Sequence, residues 1–372
     1  MKIVVVGLRG IPNVQGGIET HCEHLYPQIA KQDFEVVVIG RKDFLKTKEQ
    51  YDFKGCKILP LNHPKATSLE TIIHTFKAIC KAKKLKADIL HIHAIGPALL
   101  TPWARILGLK VIVTHHGMDY NRQKWGLVGR TILRMGERRA AKYTQGVISI
   151  SNAITEQINK LNPKQKVFQI PNGVILPEFS EKYEPSAEFK QLNLSEKPYI
   201  FALGRFVPEK EFHTLISAWS ALPAGSCNLV IAGKPDHVSP YSEQLLEQAQ
   251  KFGVILPGFI KGALLDDLFR NATGFVIPST HEGLPIAMLE AMSYNLPIIA
   301  SDIEPHLEVE LDPKCYFKTQ SIEELTVKLQ KLLENPEKPN YRKLLAEKYD
   351  WQIIAQQTTA AYKELLSLTT AR

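Results

Sequence analysis

Short apolar runs alternate along the chain with longer stretches whose apolar positions recur every three or four residues, a pattern that predicts parallel strands joined by helical crossovers. In the first half, runs at 3–6, 35–39, 57–61, 89–93, 111–115, 147–150 and 167–170 read as strands, and stretches near 18–31, 69–84, 98–107, 124–142 and 153–161 read as helices. The second half repeats the scheme, with strands at 199–203, 228–232, 253–256, 274–278 and 297–300, a helix near 214–221 and another over 351–368. Such alternation covers both faces of a parallel sheet with helices, so the expected class is α/β: two Rossmann-like, doubly wound domains facing a central cleft. A length of 372 residues, more than one hydrophobic core usually serves, agrees with two domains. The segment 176–197 is polar, holds Pro177 and Pro185 and lacks an apolar period, so the linker is expected there. This places an N-terminal domain at 1–178 and a second at 190–354, with a C-terminal helix, 355–372, expected to cross back to the first domain.

Composition changes this picture little. Charge changes it more. The apolar share of 44% is ordinary for a soluble protein, no run is long enough for a membrane span, and the chain opens into a strand where a signal peptide would stand. A cytoplasmic location is the expectation. Cys22, Cys56, Cys80, Cys227 and Cys315 are scattered and odd in number, which suits reduced thiols. The formal charge of +8 divides unequally: residues 1–180 hold 27 Lys and Arg against 13 Asp and Glu, and the remainder is net acidic. The densest basic segment, 122–142, carries Arg122, Lys124, Arg130, Arg134, Arg138, Arg139 and Lys142, interleaved with Trp125, Leu127, Val128, Ile132 and Leu133 and with Glu137 as its anion. A helix of this kind can lie on anionic lipid headgroups, and it also fits an ordinary solvated face. The chain shows no nucleic-acid module and no run of stacking aromatics on its basic face, so no nucleic-acid partner is expected.

The chemistry gathers in three places. His281, Glu282, Gly283, Leu284 and Pro285 follow the strand at 274–278, and Glu290 lies further along the apolar helix that Pro285 suits as first residue. Carboxylates accept hydrogen bonds from vicinal hydroxyls, while free amides at a helix start favour phosphate, so the mixture points to a ligand bearing both. After the strand at 199–203, Gly204 permits a tight turn, Arg205 offers a fork of donors and Lys210 adds a point charge, a set able to hold a diphosphate. Glu209 and Glu211 are alternative partners for that Arg and Lys on a plain surface. The first strand leads to Gly7, Leu8, Arg9 and Gly10, then to Gln15, Gly16 and Gly17 before a helix whose early residues include Glu19. G-x-G-x-x-G is absent, which disfavours a nicotinamide enzyme. His91 and His93 share a strand face and read as a hydrogen-bonded pair, because zinc needs a third ligand and none is evident. There is no D-x-D triplet, and Asp266 and Asp267 sit on an apparently amphipathic helix, so no metal and no cofactor is expected.

Taken together, Gly204-Arg205…Glu209-Lys210 and Glu282-Gly283-Leu284-Pro285…Glu290 resemble the donor-site motifs of family 4 glycosyltransferases of the GT-B fold, and Pro171-Asn172-Gly173-Val174 and Pro297-Ile298-Ile299-Ala300-Ser301-Asp302 fit the same pattern. Gly7-Leu8-Arg9-Gly10-Ile11-Pro12, Gly16-Gly17-Ile18-Glu19-Thr20 and His116-Gly117-Met118-Asp119-Tyr120…Lys124-Trp125-Gly126 resemble a bacterial branch assigned to capsule or O-antigen lipopolysaccharide assembly, with rhamnosyltransferase-like members. The resemblance implies retaining, metal-independent transfer of a sugar from a nucleoside-diphosphate donor to a glycan or lipid-linked acceptor in polysaccharide biosynthesis, at the inner face of the cytoplasmic membrane. It assigns Arg205 and Lys210 to the diphosphate, Glu282 to the donor sugar, the amides of Gly283 and Leu284 beside Pro285 to the same ligand, and Glu290 to the ribose diol. Gly16 and Gly17 would approach the phosphates, and His116 would face the sugar and acceptor. The competing functions are a nucleotide-sugar epimerase, which shares the architecture, and a catalytically silent sugar-nucleotide binding protein.

Overall fold

The computed structural model describes residues 1–63, 70–122, 125–179, 182–194, 196–235 and 237–370, with side chains described as far as 367. The parts of the expected helices, linker and domains that fall on residues 64–69, 123–124, 180–181, 195, 236 and 371–372 lie outside the described residues. Two compact units result: Met1–Gly173 with Lys348–Arg372, and Val174–Glu347.

The first unit carries β1 (Lys2–Val6), β2 (Glu35–Arg41), β3 (Tyr51–Phe53), β4 (Cys56–Leu61), β5 (Ile89–His93), β6 (Val111–His115), β7 (Gly146–Ser149) and β8 (Val167–Gln169). They form one sheet in the order β3-β4-β2-β1-β5-β6-β7-β8, parallel throughout except for β3, which runs antiparallel to β4. Winding proceeds outward from β1 to β4 and then returns to β5 on the other side of β1. The carboxyl ends of β1 and β5 therefore border a topological switch point, where open α/β sheets bind ligands.

Ile3 and Val5 of β1 face helix Gly17–Ala30, whose Cys22, Leu25, Tyr26 and Ile29 are all buried against them. Trp351, Ile354, Tyr362 and Leu365 of the C-terminal helix Trp351–Thr370 complete the same core.

The second unit holds β9 (Tyr199–Leu203), β10 (Asn228–Ala232), β11 (Gly274–Ile277), β12 (Ile298–Ser301) and β13 (Tyr316–Phe317), all parallel in the order β10-β9-β11-β12-β13. Its switch point lies between β9 and β11. The backbones of β9 and β10 converge closely at their exits: Gly233 has φ +138°, and a Cβ there would lie 1.8 Å from the Gly204 carbonyl oxygen, so only glycine fits. Phe212, Leu215 and Ile216 of helix Phe212–Ser220 and Leu325 and Leu329 of helix Ile322–Glu334 pack with Ile200, Leu229 and Val276 in the core.

Both halves thus fold as the α/β class expected, with local differences. Residues 253–256 are not a strand: Gly253 (φ 74°) caps helix Pro240–Phe252, and the following residues make only an isolated bridge, Val230 to Ile255. Residues 98–107 split into helices Ile95–Ala98 and Thr101–Ile106, because Pro102 has no N–H to bond the Ala98 carbonyl. The hairpin strand β3 was not anticipated; Lys54 (φ 49°) and Gly55 (φ 84°) form its two-residue turn. The segment 176–197 is not a plain linker. It contains helix Ala187–Gln191, and Tyr183 Oη and Ser186 Oγ donate to the buried Asp267 carboxylate at 2.6 and 2.5 Å. Asp267 is held by these hydroxyls, and Asp266 accepts from Tyr294 Oη at 2.7 Å.

Candidate active site

The switch point of the second unit assembles residues far apart in the chain. β9 ends at Leu203, and its exit loop passes Gly204 and Arg205 to a single 3-10 turn, Pro208–Lys210. β11 ends at Ile277 and leads to Ser279 and Glu282. Because β9 and β11 are neighbours, the two loops meet: Lys210 Nζ donates to Glu282 Oε1 at 2.5 Å, and Ser279 Oγ donates to the same oxygen at 2.7 Å. Oε2 accepts neither bond. A further link ties the loops by backbone, Thr280 N–H donating to the Glu209 carbonyl at 2.9 Å. Burial alone would raise the pKa of Glu282, but the charge and hydrogen bond of Lys210 and the hydrogen bond from Ser279 outweigh it and hold the carboxyl at about 2. Glu282 is therefore a carboxylate under all physiological conditions, suited to accept hydroxyls and unsuited to donate a proton.

Lys210 does not pair with its sequence neighbours. Glu211 sits in the left-handed region (φ 52°) and is buried, accepting from Thr214 Oγ1 at 2.7 Å and Gln320 Nε2 at 2.9 Å. Glu209 is buried as well. Neither acid is therefore a surface partner of Lys210.

Behind Glu282 lies His306, which the sequence reading passed over. It is fully buried, its Nδ1 donates to the Ser301 carbonyl at 2.9 Å, and Ser301 Oγ donates to the Ser279 carbonyl at 2.5 Å. His306 Nε2 is buried without a partner. Burial pushes its imidazole down to about 4, against the pull of Glu282, so it stays neutral and buttresses the Ser279–Glu282 loop.

Gly283 and the buried Leu284 lead to Pro285, which caps helix Ile286–Ser293 one residue before its first turn, a shift from the first helical position expected of it. Glu290 lies on that helix, partly accessible. Its crowded surroundings raise the carboxyl to about 7; Lys261 opposes the rise and Asp266 adds to it.

In the first unit, Gly16 is the N-cap and Gly17 the first residue of the helix at the end of the β1 loop. Gly16 has φ +146°, and a Cβ there would lie 2.1 Å from Glu19 Oε2, so glycine is required. Glu19 is taken by Arg9, whose backbone N–H and Nε donate to Oε1 at 3.0 and 3.2 Å. Space is open above the Gly17 Cα. His116 follows β6 directly, partly exposed, with Nε2 2.8 Å from His93 Nδ1. Its neighbour His115 is buried against Glu137, Nε2 to Oε1 2.9 Å. His91 and His93 do share a strand face but do not bond each other. Their rings stack at 4.4 Å, and each instead meets Tyr26 Oη, at 2.9 Å from His91 Nδ1 and 2.5 Å from His93 Nε2.

Residues 15–176 match the family described as Glycosyltransferase Family 4, and residues 185–348 match Glycosyl transferases group 1. The chain pairs a family 4 with a group 1 glycosyltransferase domain. An uncharacterised glycosyltransferase of Methanocaldococcus jannaschii is 26% identical to these domains, over 98% of both chains. The UDP-Gal:alpha-D-GlcNAc-diphosphoundecaprenol alpha-1,3-galactosyltransferase of Escherichia coli is 29% identical over 63% of this chain and 62% of its own. Among solved structures, a sucrose-phosphate synthase from Thermosynechococcus elongatus superposes with a TM-score of 0.83 at 20% identity, covering 99% of each chain. Anabaena HepE in complex with UDP-glucose gives 0.77 at 17%, covering 98% of this chain and all of that one. The glycosyltransferase domains thus have the two Rossmann-like folds of the GT-B class. Among the described residues, no helix is long and apolar enough to cross a membrane.

Proposed function

We propose that this chain is a retaining glycosyltransferase that moves a sugar from a nucleoside-diphosphate donor to a glycan or lipid-linked acceptor in cell-surface polysaccharide assembly. The observation that carries the reading is the Lys210–Glu282 pair at the β9/β11 switch point of the group 1 domain. A lysine beside a carboxylate that stays ionised offers a cation for the departing diphosphate and an acceptor for sugar hydroxyls on adjoining atoms. Arg205 supplies a second cation from the same loop. Positive charge held where negative charge grows lowers the barrier to breaking the anomeric bond, and we assign this role to these side chains instead of a divalent ion. The amides of Gly283 and Leu284 join them at the donor. Glu282 Oε1 is engaged by two donors, which weakens it as a nucleophile and supports a same-face route in which the leaving phosphate takes the acceptor's proton.

Glu290 is assigned to the ribose diol. Hydroxyl donors require its ionised form, so the donor has to displace a proton at low pH. A carboxyl raised to about 7 contributes stability to the unliganded domain below its unfolded value of 4.5, and loses it as pH rises through 7. Donor affinity moves the opposite way. The dissociation constant should rise about tenfold from pH 8 to pH 6, and Glu290→Gln should weaken binding at pH 8 while flattening this dependence. Calorimetric titration at the two pH values decides; an unchanged slope in the variant would remove Glu290 from the site.

The acceptor side is read from the helix Leu127–Tyr143. Its exposed stripe places Leu127, Val128 and Met135 beside Arg134, Arg138 and Lys142, while Glu137 turns inward to His115. The exposed stripe therefore carries cations and apolar groups without that anion. This supports docking on anionic lipid at the cytoplasmic face, where a lipid-linked acceptor of the kind named for the Escherichia coli relative would be met. The strings around Gly7, Gly16 and His116 support placement in the capsule and O-antigen branch with rhamnosyltransferase-like members.

One experiment addresses the whole reading: purified protein is given a panel of sugar nucleotides with cell-envelope lipid extract. Release of nucleoside diphosphate that depends on the extract, with the anomeric configuration retained in the product, is expected. Isomerised donor formed without extract would identify an epimerase, and binding without turnover a silent binder. In parallel, Arg134→Glu/Arg138→Glu/Lys142→Glu should lose most binding to anionic vesicles and keep donor affinity; undiminished vesicle binding would rule the surface out.

A further inference from the structure

The first unit gathers three histidines from three elements. His21 stands on helix Gly17–Ala30, His93 at the end of β5 and His116 just beyond β6, and one ring nitrogen of each lies within 4.8 Å of those of the other two. We propose that His21, His93 and His116 bind one divalent transition-metal ion of the zinc class.

The outer contact of His21 already sets that ring for this role, and a hydroxyl stands on the second nitrogen of His93. His21 Nδ1 lies 2.9 Å from Asn172 Oδ1, an acceptor, so that nitrogen carries the proton and Nε2 the lone pair. Nε2 is buried and has no hydrogen-bond partner. His93 Nε2 meets Tyr26 Oη at 2.5 Å, which leaves Nδ1 to point at His116 Nε2, 2.8 Å away. Ligating histidines are oriented in this way by a partner on the second nitrogen. The neighbouring His91 is a useful contrast. Both of its nitrogens are engaged by hydroxyls, Nδ1 by Tyr362 at 2.6 Å and Nε2 by Thr114 at 2.6 Å, so a purely hydrogen-bonded network accounts for it completely. That network leaves His21 Nε2 unexplained.

The donor set chooses the ion. Three imidazoles with no carboxylate in the group suit zinc, cobalt or nickel and disfavour calcium and magnesium, which take oxygen ligands. Burial and the surrounding imidazoles hold the pKa of His93 and of His116 well below its ordinary value, and burial brings His21 down to about 4, so all three are in the neutral form that ligates. Bonds of about 2.0 to 2.1 Å in a tetrahedral array place nitrogens roughly 3.3 Å apart, which rotation of the side chains can reach from the present spacing. A fourth position is left for water. In the ligating tautomers His93 carries its proton on Nε2, toward Tyr26 Oη, and His116 on Nδ1; reaching them only relocates protons between ring nitrogens and needs no other co-reactant.

The full chain, treated with chelator, is titrated with Co²⁺ and then Zn²⁺. The expected result is one ion per chain, a visible cobalt absorption of four- or five-coordinate nitrogen ligation that Zn²⁺ displaces, and a raised Tm. His21→Gln and His93→Gln should each lower affinity at least about a hundredfold, while the exposed His237→Gln leaves it unchanged. Absence of stoichiometric binding, or binding that survives in both folded variants, overturns the site. Should those variants fail to fold, Asn172→Ala, which keeps all three ligands, carries the test: a loss of roughly tenfold supports the site and undiminished affinity overturns it.

Discussion

Replacing Lys210 with alanine is expected to lower kcat/KM roughly 150-fold, the equivalent of about 3 kcal/mol of transition-state stabilisation, by analogy with deletion of a single group that stabilises developing charge. The ammonium lies 2.5 Å from Glu282 Oε1, so its removal also strands a carboxylate that is only 12% exposed. Loss of activity has to be separated from loss of fold. The double variant Lys210→Ala/Glu282→Gln removes the stranded charge and should recover most of the Tm without recovering activity. Lys234→Ala, at an exposed lysine on the β10 side, should leave initial rates of nucleoside-diphosphate release unchanged. Equal losses at Lys210 and Lys234 would contradict the assignment.

Trp351→Ala is expected to cost about 3 to 5 kcal/mol of stability, the range for emptying a buried large aromatic site. The indole begins the C-terminal helix, is 4% exposed and forms part of the first unit's core. His21 meets it edge-on at 5.4 Å between ring centres and His24 stacks on it at 5.7 Å. Gly173 is built around it as well, since a Cβ there would lie 2.5 Å from the indole Cδ2. Limited proteolysis along a thermal ramp should show cleavage sites in the first unit opening at lower temperature while those in the second keep theirs. A shift below about 1 kcal/mol, or one shared equally by both units, would mean that the helix is not part of that core.

Much of the fold was legible because parallel strands buried on both faces are continuous apolar runs; Val111 to Val113 and Leu229 to Ala232 show this plainly. Period alone could not tell Val254 and Ile255 from a strand, because a short apolar run after a helix cap looks the same. β3 escaped because Tyr51, Asp52 and Phe53 are a short, half-polar edge strand defined by its partner. The donor motifs were legible as residue types: Arg205, Lys210, Glu282 and Glu290 stand at the strand exits where such chemistry is placed. Their wiring was not. That Lys210 bonds Glu282 and leaves Glu211 to Thr214 and Gln320 follows from β9 lying beside β11, a neighbour relation that no local pattern encodes. His306 and Ser279 are single polar residues in apolar surroundings, silent until the loops are folded together. His21 was hidden by the same cause. It lies one turn into a helix, and only the sheet order brings it to His93 and His116.

The first unit is written at both ends of the chain and the second wholly between them. A ribosome therefore finishes the complete second unit before it delivers Trp351, Ile354 and Tyr362, and the nascent first 173 residues wait throughout with Leu25 and Tyr26 uncovered on the side those residues close. Vectorial synthesis makes the middle of this polypeptide the first part able to become native, and leaves its beginning in need of protection from self-association until the last helix arrives.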